Sequence, residues 1–271
     1  MKKNKSVLLS APYIIFMVIF TLIPLGVVGF YALTDPDTGA FSLRNIRELG
    51  MYMPVLWQSI LYSLVSAFIC LLLGYPVAYY IAQCKPITQK LLYMLVMLPM
   101  CMSFLLRTLA WVGLLQDTGI INNFLDWIGI GRIRMIRTPG AVILGMVYNY
   151  LPYMILPLYA TIVKIDKRLI EAAEDLGCNG VQTFQKVTLP LSMPGILSGI
   201  TMVFVPAVST FYISQKLGGT DTVLIGDVIE RLFKQGNNAN LGAALSLVLM
   251  ALVFVCTGIM NRFGGDEEVI V

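Results

Sequence analysis

Glu171-Ala172-Ala173-Glu174-Asp175-Leu176-Gly177, followed by Val187-Thr188-Leu189-Pro190, is a charged, alanine-rich island between two long apolar runs. The local pattern predicts a short helix. Asp166 is placed to cap its first turn, and the helix runs through Leu176 to a stop at Gly177. Asn179-Gly180-Val181-Gln182 then has the spacing of a capping box that opens a second short helix. Two uses of the first helix are open. It is a solvated loop helix, or it is a docking element. For docking, Ala172 and Ala173 permit close approach of a groove, and Glu171, Glu174 and Asp175 offer carboxylates to a partner's arginines or lysines.

The runs on either side set the class. A hydrophobic fraction of 58% with only 13% charged residues excludes an ordinary soluble domain. The mean hydropathy of +0.80 agrees. A helical span needs about 20 apolar residues. Six stretches qualify, at 8–33, 58–83, 91–115, 140–163, 192–215 and 240–261. In lipid each segment must satisfy its own backbone polar groups, so the spans are helices. The expected fold is an all-α membrane protein with six transmembrane helices, a single membrane domain over residues 1–271.

Charge sets the orientation. The chain opens Lys2-Lys3-Asn4-Lys5 and turns apolar as far as Leu33. That run exceeds the ~7–15 residues of a cleavable signal, and no small-residue cleavage site follows, which favours an uncleaved first span with a cytoplasmic N-terminus. Lys85, Lys90, Lys164, Lys167, Arg168 and Lys186 fall on the same side. Residues 164–191 are then inside, and 116–139 and 216–238 outside. The net charge of +4 follows from this distribution and provides no basic face for nucleic acid.

Absences narrow the chemistry. There is no histidine, which removes histidine catalysis, ligation and proton relay. Cys70, Cys84, Cys101, Cys178 and Cys256 match no metal spacing and read as small packing residues. No Walker A segment occurs, so an ATP-driven process needs an ATPase on another chain. The fifteen acidic residues all fall outside the six stretches, which counts against a proton-driven carrier. A sodium-coupled carrier using backbone and hydroxyl ligands stays open. Arg107 is the one charge within a stretch, either structural or a substrate contact. At mid-bilayer such a charge costs roughly 2.5–3.5 kcal/mol on insertion scales.

Two stretches carry polar groups. The fourth contains Tyr148-Asn149-Tyr150-Leu151-Pro152-Tyr153, then Pro157 and Tyr159. The fifth has Pro206, with Ser198, Thr201, Val205, Ser209 and Tyr212 at helical spacing on one face. Pro206 is expected to kink it. Such a face lines a water-filled pathway or serves close helix packing. Phe211 and Tyr212 follow the kink, with Gln215 beside them. If the face lines a pathway, they are expected to contact or gate a solute passing along it, joined by Tyr148, Asn149 and Tyr153. Clustered rings suit a cation, since an ammonium over a ring face gains ~0.5–2 kcal/mol. Trp57, Trp111 and Trp127 fit an interfacial belt.

The spacing E-A-A, three residues, G, nine residues, Val187-Thr188-Leu189-Pro190 resembles the EAA signature of permease subunits in binding-protein-dependent ABC importers, with Val187 in the place of Ile. Leu73 through Tyr79, Tyr148 through Tyr159, Lys164-Ile165-Asp166, Met193-Pro194-Gly195-Ile196, Phe211-Tyr212-Ile213-Ser214, Gly218-Gly219 and Leu224-Ile225-Gly226 resemble the polyamine (spermidine/putrescine) import permeases. The likeness covers nearly all of residues 10–262. It implies a type I ABC importer permease in the bacterial cytoplasmic (inner) membrane. The implied partners are a second permease subunit, two ATP-binding subunits and an extracytoplasmic substrate-binding protein. It implies no catalytic residue, metal or cofactor on this chain, ATP and Mg belonging to the ATPase. It assigns coupling to Glu171, Ala172, Ala173, Glu174, Asp175, Gly177, Leu189 and Pro190. Members of the family often read an acid where Gln215 stands, and a neutral amide favours a polyamine less. Another small solute, or an ion-coupled carrier, is the alternative.

Overall fold

The computed structural model describes residues 12–13, 15–35, 39–42, 44–220, 222–234 and 238–264. The Lys2-Lys3-Asn4-Lys5 cluster and the start of the first stretch at residue 8 lie outside the described residues. Regular structure among the described residues is helical, apart from one isolated bridge between Thr34 and Phe41. In chain order the helices are α1 (Ile15–Ala32), α2 (Arg44–Glu48), α3 (Met53–Gln83), α4 (Pro86–Met97), α5 (Phe104–Leu115), α6 (Ile120–Ile128) and α7 (Pro139–Ile162). There follow α8 (Lys167–Asp175), α9 (Gly180–Leu191), α10 (Met193–Val208), α11 (Tyr212–Leu217), α12 (Ile225–Lys234) and α13 (Ala239–Gly264). Among the described residues, five helical runs are long and apolar enough to cross a membrane, and six if the bent pair α9–α10 counts as one.

Two of the expected spans are corrected. The third, expected at 91–115, is broken. Helix α4 ends at Met97, a 3-10 turn occupies Leu98–Cys101, and α5 begins at Phe104. Pro99 supplies no N–H to the α ladder, and Met102 turns extended at φ −88° and ψ 147°. The run that qualifies as a span is Phe104–Ile128, with Pro86–Cys101 a shorter apolar helix. The fifth, expected at 192–215, ends at Val208. A turn of 63° separates it from the preceding helix at Ser192. Pro206 sits in the last turn of α10, where the helix is already ending, while Pro190 and Pro194 flank Ser192.

The residues group into two compact units. In the first, Met1–Pro54 with Val228–Leu252, Ala32 packs with Ala243 and Ala244. The last carbonyls of a helix have no partner within it. Here the Asn45 amide donates to Ala32 O at 3.2 Å and to Thr34 O at 2.9 Å, and the Asn240 amide donates to Thr34 O at 2.7 Å.

The second unit, Val55–Asp227 with Val253–Val271, is built on α7 against α10. Every fourth residue of α7 from Val142 is buried: Val142, Met146, Tyr150, Met154, Leu158 and Ile162. On α10 the matching row is Gly195, Gly199, Val203 and Ala207, all buried. Rows at i±4 are the ridges that interdigitate in helix packing, and small residues let two backbones approach in lipid. The approach is close enough that a Cβ on Gly195 would lie 2.6 Å from Thr161 Oγ1. Helix α3 is inside-out by the standard of a water-soluble helix. Ser59, Ser63, Ser66, Ala67, Cys70 and Ala78 face inward, whereas Leu61, Leu64, Phe68 and Leu72 are exposed. A stripe of large exposed apolar side chains suits lipid contact.

Candidate functional site

The charged island folds as its caps dictate. Asp166 caps α8 by accepting from Arg168 N–H at 3.0 Å. At the other end Gly177 has φ +87°, the left-handed region that glycine enters without a Cβ clash. Gly177 N–H donates to Glu174 O at 2.9 Å, and Cys178 N–H to Ala173 O at 3.0 Å. These two bonds form a Schellman stop, ending α8 at Asp175, one residue earlier than expected. Asn179 and Gln182 bond reciprocally as a capping box, at 3.0 and 2.9 Å. Glu171, Ala172, Glu174 and Asp175 are exposed, and Ala173 is buried. Of the two alanines, therefore, only Ala172 is presented. Leu189 and Pro190 lie in the last turn of α9, next to the bend.

The bend is pinned. Ser192 Oγ donates to Leu189 O at 2.9 Å, which uses its single proton. The Tyr75 hydroxyl, 2.8 Å from Ser192 Oγ, is then the donor in that contact. Phe184 of α9 stands edge-on to Tyr75 and Tyr79 of α3, with ring centroids 5.5 and 5.9 Å apart.

Two of the expected pathway residues, Tyr212 and Tyr148, pack on one face of α5. Phe104, Arg107 and Trp111 are three and four residues apart, so they share that face. Tyr212 lies 6.3 Å from Phe104, and Tyr148 stands edge-on to Trp111 at 5.3 Å. Tyr153 packs on Tyr150 at 6.3 Å, and the Tyr150 hydroxyl donates to Pro206 O at 3.3 Å. Phe211, Ser209 and Gln215 are exposed. Lys216 Nζ already sits 5.7 Å above the Tyr212 ring. The hydroxyl stripe is bonded to its own helix: Thr201 donates to Leu197 O and Ser209 to Val205 O. Asn149 is buried, donates to Gly145 O at 2.8 Å and leaves Oδ1 without a partner. Pro152 and Pro157 have no N–H to offer the carbonyls of Tyr148 and Tyr153, four residues back.

Arg107 is the residue whose surroundings the sequence did not reveal. It is buried and holds Nε and Nη1 without hydrogen-bond partners. Its spacing from Phe104 and Trp111 was a readable signal of which way it faces.

Large apolar side chains exposed along the long helices, a short charged helix exposed between two of them and an aromatic seam along α5 fit a membrane-embedded transport subunit. The chain belongs to the family described as binding-protein-dependent transport system inner membrane components, which it matches over residues 6–264. It is 39% identical over 243 residues to the spermidine/putrescine transport system permease protein PotB of Escherichia coli (strain K12), covering 86% of this chain and 88% of that one. The protein of the same name from Haemophilus influenzae is 40% identical over 250 residues, covering 88% and 87%. Among solved structures, a chain of a bacterial ABC transporter involved in the import of the acidic polysaccharide alginate shares the fold. The TM-score is 0.77 at 21% identity, over 98% of this chain and 97% of that one.

Proposed function

We propose that this chain moves polyamines, spermidine or putrescine, into the cytoplasm as one permease subunit of an ATP-driven importer. The observation that carries the cargo is the 39–40% identity, over most of the chain, to permease proteins of spermidine/putrescine transport systems. The aromatic seam supports it, because ring faces attract ammonium groups. Carbonyls that Pro152 and Pro157 do not bond add acceptors along α7. Arg107 repels such a cargo, so the seam favours passage over retention.

In this reading the working unit is one membrane domain paired with a second permease subunit. Two ATP-binding subunits hold ATP and Mg, and an extracytoplasmic binding protein delivers cargo. The chain performs no chemistry of its own. Helix α8 is the lever: Glu171, Glu174 and Asp175 meet the ATPase, and closure of the ATPase pair drives alternating access. The N-terminus and residues 164–191 are cytoplasmic, on the positive-inside rule. Gln215 favours a second reading, the same machine with another small cargo. The experiment is uptake into proteoliposomes holding the purified transporter and its binding protein. Labelled spermidine and putrescine should enter with ATP and stay outside without it. Uptake driven by an ion gradient with this chain alone would refute the importer reading, and ATP-dependent uptake of a non-cationic solute would refute the cargo.

A further inference from the structure

Arg107 is the fourth residue of α5 and lies within the apolar run Phe104–Ile128. It is 6% exposed, and its Nε and Nη1 are buried without a hydrogen-bond partner. The salt bridges among the described residues leave it out. The start of a helix is the positive end of its dipole, so the position adds repulsion instead of relief. A buried charge needs a counter-charge as well as hydrogen bonds. The surrounding helices supply none. Helix α5 packs against α6, α7 and α11. Helices α7 and α11 contain no aspartate or glutamate, and the acid of α6, Asp126, is paired with Arg132 at 3.5 Å. Asp117 is ten residues from Arg107, about 15 Å of helical rise, and lines a polar cavity with Arg134 and Arg137.

Charges within the membrane pair with one another, and here the partner has to come from another chain. A second copy of this chain would bring another arginine and the same acid-free neighbours. We propose that a carboxylate in a span of a different permease subunit docks on Arg107, so that this guanidinium specifies a mixed pair of permeases. A guanidinium suits that role, since its planar fork takes a carboxylate through two parallel hydrogen bonds. Phe104 and Trp111 flank it on the same face of α5 and keep the contact apolar around its charges. The inference rests on the two-permease reading and deepens it by naming the contact. While paired, Arg107 is neutralised. When the subunits part in alternating access, it is free to repel an ammonium.

The test uses the intact transporter, purified through a tag on this chain, with the second permease identified by mass spectrometry. The readout is how much of that subunit stays bound on dilution. Arg107→Lys should hold it nearly as well as the unaltered chain. Arg107→Gln, which removes the charged hydrogen bonds, should weaken association at least about tenfold, and Arg107→Glu should abolish it. Replacing one span Asp or Glu of the second subunit by Arg should restore binding to Arg107→Glu within about twofold. A chain that merely misfolds is not rescued by a charge reversal on its partner. If no second permease copurifies with the unaltered chain, the importer reading falls and the pair with it. The pair alone is overturned if the second permease is a copy of this chain or has no acid in its spans. Equal retention by Arg107→Gln, or failure of every charge reversal to rescue Arg107→Glu, overturns it as well.

Discussion

At the scale of single residues, Gly177 is the sharpest point of the island. Its φ of +87° costs a residue with a Cβ roughly 1–2 kcal/mol, and the two Schellman bonds hold the chain there. Gly177→Asp should misdirect α8 and abolish uptake while membrane insertion stays normal. Glu171→Lys should do the same by reversing a docking charge. Copurification of the ATPase with each variant checks this, and normal transport by both sinks the coupling role. Tyr212 provides the second residue-level prediction. If its ring attracts an ammonium, Tyr212→Phe is mild and Tyr212→Leu severe in polyamine uptake at matched protein levels. Gln215→Glu should then be tolerated or should help. The Lys216 ammonium already over this ring occupies the place such a cargo would take.

At the scale of elements, the α7–α10 contact sets stability. Gly195→Val would put a methyl group into Thr161 and should destabilise the bundle by about 1–3 kcal/mol, read as a lower melting temperature in detergent. Much of this scale was legible in the sequence. Asp166, Gly177 and the Asn179–Gln182 pair announced α8 and the start of α9, because caps are local chemistry. The break at residues 98–103 was not legible, whereas the turn at Ser192 falls where the fifth apolar stretch begins. Hydropathy runs unbroken through Pro99, and apolar composition cannot distinguish a straight helix from a broken one. Pro206 drew attention as a kink because the helix end beyond it depends on the packing of α11 against α5 and α7. For Arg107 the spacing from Phe104 and Trp111 showed the face it shares, but its burial depends on neighbours that the sequence does not order.

At the scale of the molecule, the orientation read from charge makes one direct forecast. Cys178, a free thiol just after the stop of α8, is expected on the cytoplasmic side. With the other cysteines replaced, an impermeant thiol reagent should label it in inverted vesicles and not in intact cells. Labelling from outside would invert the topology. The family and fold were within reach of the sequence because the island, its spacing and the apolar runs are each continuous in the chain. A cavity bounded by Tyr79, Lys167 and Thr188 was not, because it joins three segments that only folding brings together.

The hydrogen-bonded hydroxyl at Ser192 carries a mechanical consequence. A bent shaft transmits torque only while its elbow is stiff, and here the elbow is braced by Tyr75 from outside and by Leu189 from within. Ser192→Ala removes both braces and leaves the helices themselves intact. Motion begun at α8 should then dissipate in the joint. The expected signature is slippage: ATP turnover continues, while the number of cargo molecules moved per ATP falls several-fold.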